Sequence, residues 1–472
     1  MKKNIKHILF SLALVLTVAL LAADSPKLPA RPNLVFILID DFGYECVTAN
    51  GGESYQTPVM DQLSATGVRF EQCHVQPLCT PTRVELMTGM SNRRNYAHFG
   101  ILDPSQKTFG NLLKDAGYAT CVAGKWQLGN GYEGPGHFGF DEYALWHLLK
   151  KGPRYKDPKL EINGTPHEYK NNEYGPDIVS DYVLDFITRK RDGPFFVYYP
   201  MMLTHAPFDA TPDSPDYLES KSGKKGGKDK SGHFADMTAY TDKLIGKLIA
   251  KLDELKLRDN TLVIILGDNG TGKAVTTKFK GAEAKGGKGT TTEWGTRVPC
   301  IANWPGHVAN GKVSQDLIGA VDLLPTICEA AGVAVPAELK IDGRSFLPQL
   351  RGEAGNPREW LYSWYNPSGG ATAQAEFAHD ASFKLYTDGR FYDVQKDDKE
   401  RSPLAGDSLD AKAKAAKTKL EAALKTFEGP RPDYFVKKSQ DYDEKHEGET
   451  SGSGDTGSKK GKGKKSPPPA ES

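Results

Sequence analysis

Two apolar runs constrain this chain more than anything else in it. Asn33–Ile39 reads NLVFILI and Thr261–Leu266 reads TLVIIL, and neither is broken by a polar residue. A strand with one wet face alternates apolar and polar side chains. An unbroken run implies burial on both faces, as in a parallel sheet covered by helices on either side. Each run also ends in acids: Asp40-Asp41 after the first, and Asp268-Asn269-Gly270 just past the second.

The segments between these runs alternate in the same sense. Thr57-Pro58 opens a helix through about Thr66, with Thr57 as its cap, and Val68–Cys73 is strand-like. Thr108–Ala116 is helical, Tyr118–Ala123 extended, Asp177–Arg189 helical and Pro194–Tyr199 extended. In Phe234–Leu257 the apolar residues Met237, Tyr240, Leu244, Leu248, Leu252 and Leu255 line one face of a long amphipathic helix. This order predicts an α/β fold with helices on both faces of the sheet. After Arg344 the pattern changes to short strands, Trp360–Tyr365 and Phe383–Val394, with Asp388-Gly389 marking a hairpin. The expected division is an export signal over 1–23, a catalytic domain over 24–344, a small α+β domain over 345–436 and a disordered tail over 437–472. Lys221–Lys230 (KSGKKGGKDK) reads as a mobile insert.

The amino terminus carries Lys2, Lys3 and Lys6, then an apolar run Ile8–Leu21, then Ala22-Ala23. That is the pattern of a cleaved signal peptide, too short for a span and without a stop-transfer pattern after it. The mature protein is therefore expected to be exported, periplasmic or secreted, with no stable membrane insertion. Lys and Arg number 61 against 60 Asp and Glu, a balance that argues against a nucleic-acid partner. The six cysteines show no zinc-type spacing, and setting Cys79 aside leaves an odd number, which fits poorly with a full disulfide set.

Chemistry concentrates at the strand ends. In open α/β sheets ligands bind at the carboxyl ends of strands. Asp40, Asp41, Asp268 and Asn269 gathered there would repel one another unless a cation sat between them, and hard oxygen donors favour calcium or magnesium over zinc. Singly, each pair also makes an ordinary turn. A third spot is Cys79-Thr80-Pro81-Thr82-Arg83. Thr80 can cap a helix that begins at Pro81, which puts Cys79 at a positive helix end, where anions bind and thiols are acidified. Arg83 lies one turn along and can reach the same anion.

Cys79–Arg83 resembles the type I sulfatase signature Cys-x-Pro-Ser/Thr-Arg, whose Cys is oxidised to formylglycine. The similarity extends through DDFGY, TPVMDQLSATGVRF, LMTGM, AGYATCVAGKWQLG, GFDEY, His205-Ala206-Pro207, GDNG, GGKGTT, RVPCIANWPG and DGRSF. It runs from about Pro32 to the Asp388–Ala405 region. The resemblance implies an alkaline-phosphatase-like fold: a large domain with a mixed, mostly parallel sheet and a small C-terminal domain with an antiparallel sheet. It implies one calcium ion held by Asp40, Asp41, Asp268, Asn269 and modified Cys79. Arg83, Lys125 and Lys288 then hold the sulfate, and His205 binds the ester and helps protonate the leaving alcohol. A hydrated aldehyde offers one hydroxyl to attack sulfur and a second to expel sulfate. The implied partners are a formylglycine-generating maturation enzyme and a sulfated small molecule or polysaccharide.

One position departs from the family. Gly124-Lys125-Trp126-Gln127-Leu128-Gly129 carries Gln127 where the family has His. A neutral amide is no base, so Gln127 is expected to orient the nucleophile while another base or water takes the proton. His98 and His137 are the histidines near family motifs with no other task. Lys288 lies in no P-loop, since Ala282 and Gly289 break that pattern, and Asp41-Phe42-Gly43 has no kinase loops beside it. Asn163-Gly164 reads as a hairpin turn before a glycosylation site. Hydrolysis of a phosphodiester or phosphonate is the alternative activity.

Overall fold

The computed structural model describes residues 28–149, 151–220, 232–406 and 409–446. The expected export signal, the insert Lys221–Lys230 and the tail beyond His446 lie outside the described residues. A ten-stranded mixed sheet organises the chain, in the order β12-β2-β11-β8-β1-β7-β3-β4-β5-β6. Its strands are β1 (Asn33–Ile39), β2 (Val68–His74), β3 (Ala119–Lys125), β4 (Glu142–Trp146), β5 (Lys159–Ile162), β6 (Thr165–Glu168), β7 (Phe195–Pro200), β8 (Thr261–Gly267), β11 (Cys300–Asn303) and β12 (Lys312–Gly319). β9 (Thr276–Phe279) and β10 (Ala282–Lys285) form a separate ribbon. At the centre, β8, β1, β7, β3 and β4 run parallel, so their carboxyl ends open on one edge.

The unbroken apolar run of β1 is divided by the pleat. Leu34, Phe36 and Leu38 face one core with Phe196, Tyr198 and Ile264, against helices α3 (Phe109–Asp115) and α6 (Leu323–Ala330). Val35, Ile37 and Ile39 face the other with Val197, Tyr199 and Ile265, against α4 (Gly175–Lys190) and α5 (Phe234–Glu254). Burial on both faces is what a run without polar residues requires. All six cysteines are free and buried.

A second sheet, β13 (Leu361–Tyr365), β14 (Ala375–His379), β15 (Phe383–Tyr386) and β16 (Phe391–Asp393), is antiparallel throughout. Helix α7 (Ala411–Lys425) buries Ala416, Leu420 and Ala423 against Phe383, Leu385 and Phe391. Asp388-Gly389 forms the β15–β16 turn, where Gly389 takes φ 90°, a region that favours glycine. Asn163-Gly164 likewise turns β5 into β6.

Two helix starts and one ending differ from the sequence expectation. Thr57 does not cap α1 (Pro58–Ala65): its hydroxyl accepts from the Thr48 N–H. The free N–H groups of Val59 and Met60 donate instead to the Asp242 carboxylate of α5, at 2.9 Å each. Helix α2 (Cys79–Thr88) begins two residues before Pro81, and the Thr80 hydroxyl accepts from the Gly100 N–H rather than capping. The expected tail begins too early, because α8 (Asp433–His446) continues ten residues past Val436. Its contacts are ones that apolar content does not reveal: the Ser439 hydroxyl donates to Ser368 O, and Tyr442 stacks on His98.

Asp242 thus ties α5 to the start of α1 through two charge-assisted bonds. Replacing it with Ala should cost about 1–2 kcal/mol, the range for a lost helix cap. Urea denaturation of Asp242→Ala beside the parent measures this, and an unchanged midpoint would mean that α1 is held by packing alone.

Candidate active site

Four of the parallel strands deliver charged or polar groups to the same edge. Asp40 and Asp41 follow β1, Lys125 ends β3, Asp268 and Asn269 follow β8, and His205 lies beyond β7. Register sets them side by side, since Ile39 pairs with Gly267, the residues just before Asp40 and Asp268. Consecutive strand residues point to opposite faces. Asp41 escapes that rule by adopting φ 59°, and the ligand atoms of Asp40, Asp41 and His205 lie within 4.8 Å of one another. Gly124 lets β3 approach β7 closely, because a Cβ there would sit 1.9 Å from Pro200 O.

Each carboxylate has its own cation. Lys125 Nζ donates to both Asp40 oxygens at 2.9 Å. Arg83 donates through one nitrogen to Asp268 Oδ2 at 3.0 Å and through another to Lys125 O at 2.9 Å. Lys288 Nζ donates to Asp41 Oδ2 at 2.8 Å and contacts His205 Nε2 at 2.9 Å. His205 Nδ1 lies 2.6 Å from Ala206 O. A carbonyl only accepts, so Nδ1 carries the proton and Nε2 accepts from Lys288. Burial, against the opposing charges of Asp41 and Asp40, lowers the His205 pKa to about 3, so the ring is neutral.

Cys79 opens α2, and its thiol donates to Gln127 Oε1 at 3.0 Å. All ten residues of α2 are buried. The expected acidification of the thiol does not occur. Burial outweighs Lys125 and, together with the carboxylates Asp268 and Asp40, raises its pKa. An unmodified Cys79 is therefore a neutral thiol.

The same edge fits a hard divalent cation. Asn269 donates through Nδ2 to Asp41 Oδ1 and Gly270 O, leaving its own Oδ1 buried without a partner among the described residues. The ligand atoms of Asp40, Cys79 and Asp268 also lie within 4.8 Å of one another. Against the cost of burial, Lys125, with Arg83 and Arg154, holds Asp40 well below the usual carboxylate range. At Asp268 burial and then the Asp40 charge win over Arg83 and Lys125, and its pKa rises to about 7. A carboxyl pushed up by burial and a neighbouring carboxylate, beside an amide oxygen unpartnered among the described residues, is a donor set that suits a hard cation.

Lys288 is placed by the second sheet. Its N–H donates to Thr271 O, and Gly289 N–H to Pro77 O, next to α2. Lys384 of β15 donates to Thr291 O at 2.7 Å, and the Tyr386 hydroxyl meets Thr291 Oγ1 at 2.7 Å. The sequence residues Asp40, Asp41, Arg83, Lys125, His205, Asp268, Asn269 and Lys288 are thus joined by hydrogen bonds, and the bonded pair Cys79 and Gln127 adjoins them, with Cys79 Sγ within 4.8 Å of Asp40 and Asp268 ligand atoms. His98 and His137 are not among them. His98 bonds Phe99 O and Asp443, and His137 bonds Pro104 O. Sequence reasoning missed His147 and Arg154, both in the loop after β4. His147 O accepts from the Gln127 N–H at 3.3 Å, and its buried Nδ1 has no partner among the described residues. Reading Glu142–Trp146 as a strand would have flagged that loop by the strand-end rule.

Comparison with known proteins gives a consistent result. Residues 32–333 match the family described as Sulfatase, and residues 288–428 match the family described as N-sulphoglucosamine sulphohydrolase, C-terminal. Human arylsulfatase A is 33% identical over 389 residues, covering 73% of this chain and 72% of that protein. Human N-acetylgalactosamine-6-sulfatase is 33% identical over 356 residues, covering 68% of this chain and 66% of that protein. A crystal structure of Ps i-CgsB in complex with k-i-k-neocarrahexaose superposes with a TM-score of 0.69 at 27% identity, covering 83% of this chain and 92% of that one.

The pKa of Asp268 has a measurable consequence. In metal-free protein it is protonated below pH about 7, so a cation must displace that proton. Calorimetry of calcium binding to chelator-treated protein, in buffers of different ionisation heat, should show proton release. The affinity should fall about tenfold per pH unit as pH drops below that pKa. Affinity independent of pH across this range would remove Asp268 from the cation site.

Proposed function

The chain belongs to the sulfatase family and is a sulfuric ester hydrolase, and from that premise we propose that it desulfates a sulfated carbohydrate, using formylglycine made from Cys79 as nucleophile and one calcium ion held by Asp40, Asp41, Asp268, Asn269 and the modified Cys79. The observation that carries this reading is the convergence of the Cys79–Arg83 motif with both acidic strand ends, where Cys79 Sγ shares a 4.8 Å cluster with Asp40 and Asp268. A carbohydrate substrate is supported by Ps i-CgsB, solved with k-i-k-neocarrahexaose, and by N-acetylgalactosamine-6-sulfatase, whose name specifies a sulfated sugar. Export to the periplasm or medium, and maturation of Cys79 by a formylglycine-generating enzyme, belong to the same proposal. Among the described residues no helix is long and apolar enough to cross a membrane.

When formed and bound, the hydrated aldehyde supplies a hydroxyl nucleophile and calcium supplies a positive centre for sulfate oxygens. The remaining work falls to the chain's own side chains. Lys125 and Arg83 are anchored to Asp40 and Asp268 with no exposure to speak of, so their positive charge is fixed before substrate arrives. Lys288 and His205 form the leaving-group side. Neutral His205 accepts from Lys288, whose pKa is raised because Asp41, with Asp40 behind it, outweighs the cost of burial. Lys288 is therefore the proton-bearing member of the pair, and His205 binds and relays. Gln127 presents an acceptor oxygen to the Cys79 side chain and orients whatever hydroxyl forms there.

Two measurements check this reading. Active protein should contain the Cys79 peptide as aldehyde by mass spectrometry, and should cleave a chromogenic sulfate ester faster than the matched phosphate diester and phosphonate. Full activity from an unmodified thiol would refute the mechanism.

For Gln127, the expected effect of Gln127→Ala is a turnover lowered roughly tenfold, the scale of one lost hydrogen bond. Alcohol should appear in a rapid burst followed by a slow steady rate, because orientation for sulfate expulsion is what is lost. Gln127→His should retain activity. Parental turnover by Gln127→Ala at saturating substrate would place Gln127 outside the reacting centre.

A further inference from the structure

Arg154 has no task in the reaction described above, yet it is built into the site. Its side chain is 5% exposed and one terminal nitrogen lies 3.6 Å from Asp40 Oδ2, beyond hydrogen-bond distance. That nitrogen has no hydrogen-bond partner among the described residues. The guanidinium carbon sits 3.8 Å over the Trp146 ring, and the Trp146 indole is itself fixed by donating to Gly152 O. Asp40 does not need this cation, since Lys125 already occupies both of its oxygens. The hydroxyl of Tyr155, the residue after Arg154, donates to His205 O, which ties this stretch of the loop to the leaving-group side. Arg83, Lys125, Lys288 and Arg154 also outnumber Asp40, Asp41 and Asp268 before any divalent cation is added, whereas a sulfate ester brings a single negative charge.

We propose that Arg154 is a specificity residue that receives a second anionic group, a carboxylate or a further sulfate, carried by the alcohol part of the substrate beside the ester that is cleaved. A planar guanidinium held on an indole face, with a free N–H, is suited to receive such an oxyanion. The orphaned Nδ1 of His147, on the same loop, offers a second polar contact. This inference rests on the sulfatase reading.

The test compares three probes: para-nitrophenyl sulfate and its analogues carrying an ortho carboxylate or an ortho sulfate. For each, kcat/KM is measured for the mature parent, Arg154→Gln and Arg154→Lys. Arg154→Gln should lower the ratio of anionic to plain probe by roughly 10- to 100-fold, the worth of a hydrogen bond to a charged group. The loss should appear mainly in KM, and Arg154→Lys should recover part of it. The analogue showing the larger change identifies the anion as carboxylate or sulfate. Equal losses on all three probes would overturn the proposal and leave Arg154 as a support for Asp40. A measurement on the parent alone gives the same answer if the variants do not fold: the ortho-carboxylated phenol should inhibit about tenfold more tightly than the plain phenol, and equal inhibition would overturn the assignment. A parent that cleaves none of the sulfates but cleaves the matched phosphates overturns the sulfatase reading itself, and the assignment with it.

Discussion

Asp40, Asp41 and Asp268 lie between 0% and 2% exposed, and the cations Arg83 and Lys125 are as deeply buried. Removing such charges from water costs several kcal/mol per ion, which only close pairing and hydrogen bonding can offset. The pairs Lys125–Asp40, Arg83–Asp268 and Lys288–Asp41 supply that offset. Each joins elements distant in sequence: β3 to β1, α2 to β8, and the Gly-rich loop to β1. The charges that would serve chemistry therefore also hold the strand ends together. The pairing remains incomplete, since the Asp268 pKa is raised to about 7 and Asn269 Oδ1 has no partner among the described residues.

The second sheet matters to the site through Lys288. A flexible lysine in a Gly-rich loop would lose its geometry without support. Lys384 donates to Thr291 O, the Thr291 hydroxyl donates to the Tyr386 oxygen, and Trp294 donates to Asp398, which together hold that loop from outside. Gly295 packs against Thr290 O, where a Cβ would sit 1.9 Å away. The loop is rigid because of what surrounds it, and Lys288 can then bridge Asp41 and His205 at fixed distance.

The resemblance leads to the expectation of a histidine at 127, and Gln127 in its place leaves the site without that titratable group. His205 is neutral and accepts from Lys288, the Cys79 thiol is neutral, and His147 has its pKa lowered to about 4 by burial, Lys125 and Arg154. Burial, aided by the nearby lysines and Arg154, suppresses imidazolium at His205 and His147. In such a pocket a second histidine at 127 would also be pressed toward neutrality, and an amide oxygen in its place keeps the orienting contact while giving up the basicity.

The sequence alone determined the parallel core, because NLVFILI and TLVIIL leave no polar face to expose, and it located the acids, Cys79, Arg83, Lys125, His205 and Lys288 by motif. It also gave the hairpins at Asn163-Gly164 and Asp388-Gly389, where local backbone chemistry decides. It missed what depends on contacts between distant segments. The cap of α1 comes from Asp242, 184 residues beyond Pro58 by number. Helix α8 is held by Ser439 and Tyr442, which carry no apolar signal. The positive helix end suggested an acidic thiol at Cys79, but burial beside Asp268 and Asp40 reversed the sign. Arg154 and His147 were invisible because neither belongs to a motif. Only the closure of the β4 loop against Trp146 and Asp40 brings them to the site, and the energy of a buried charge depends on its neighbours in space, which sequence order does not specify.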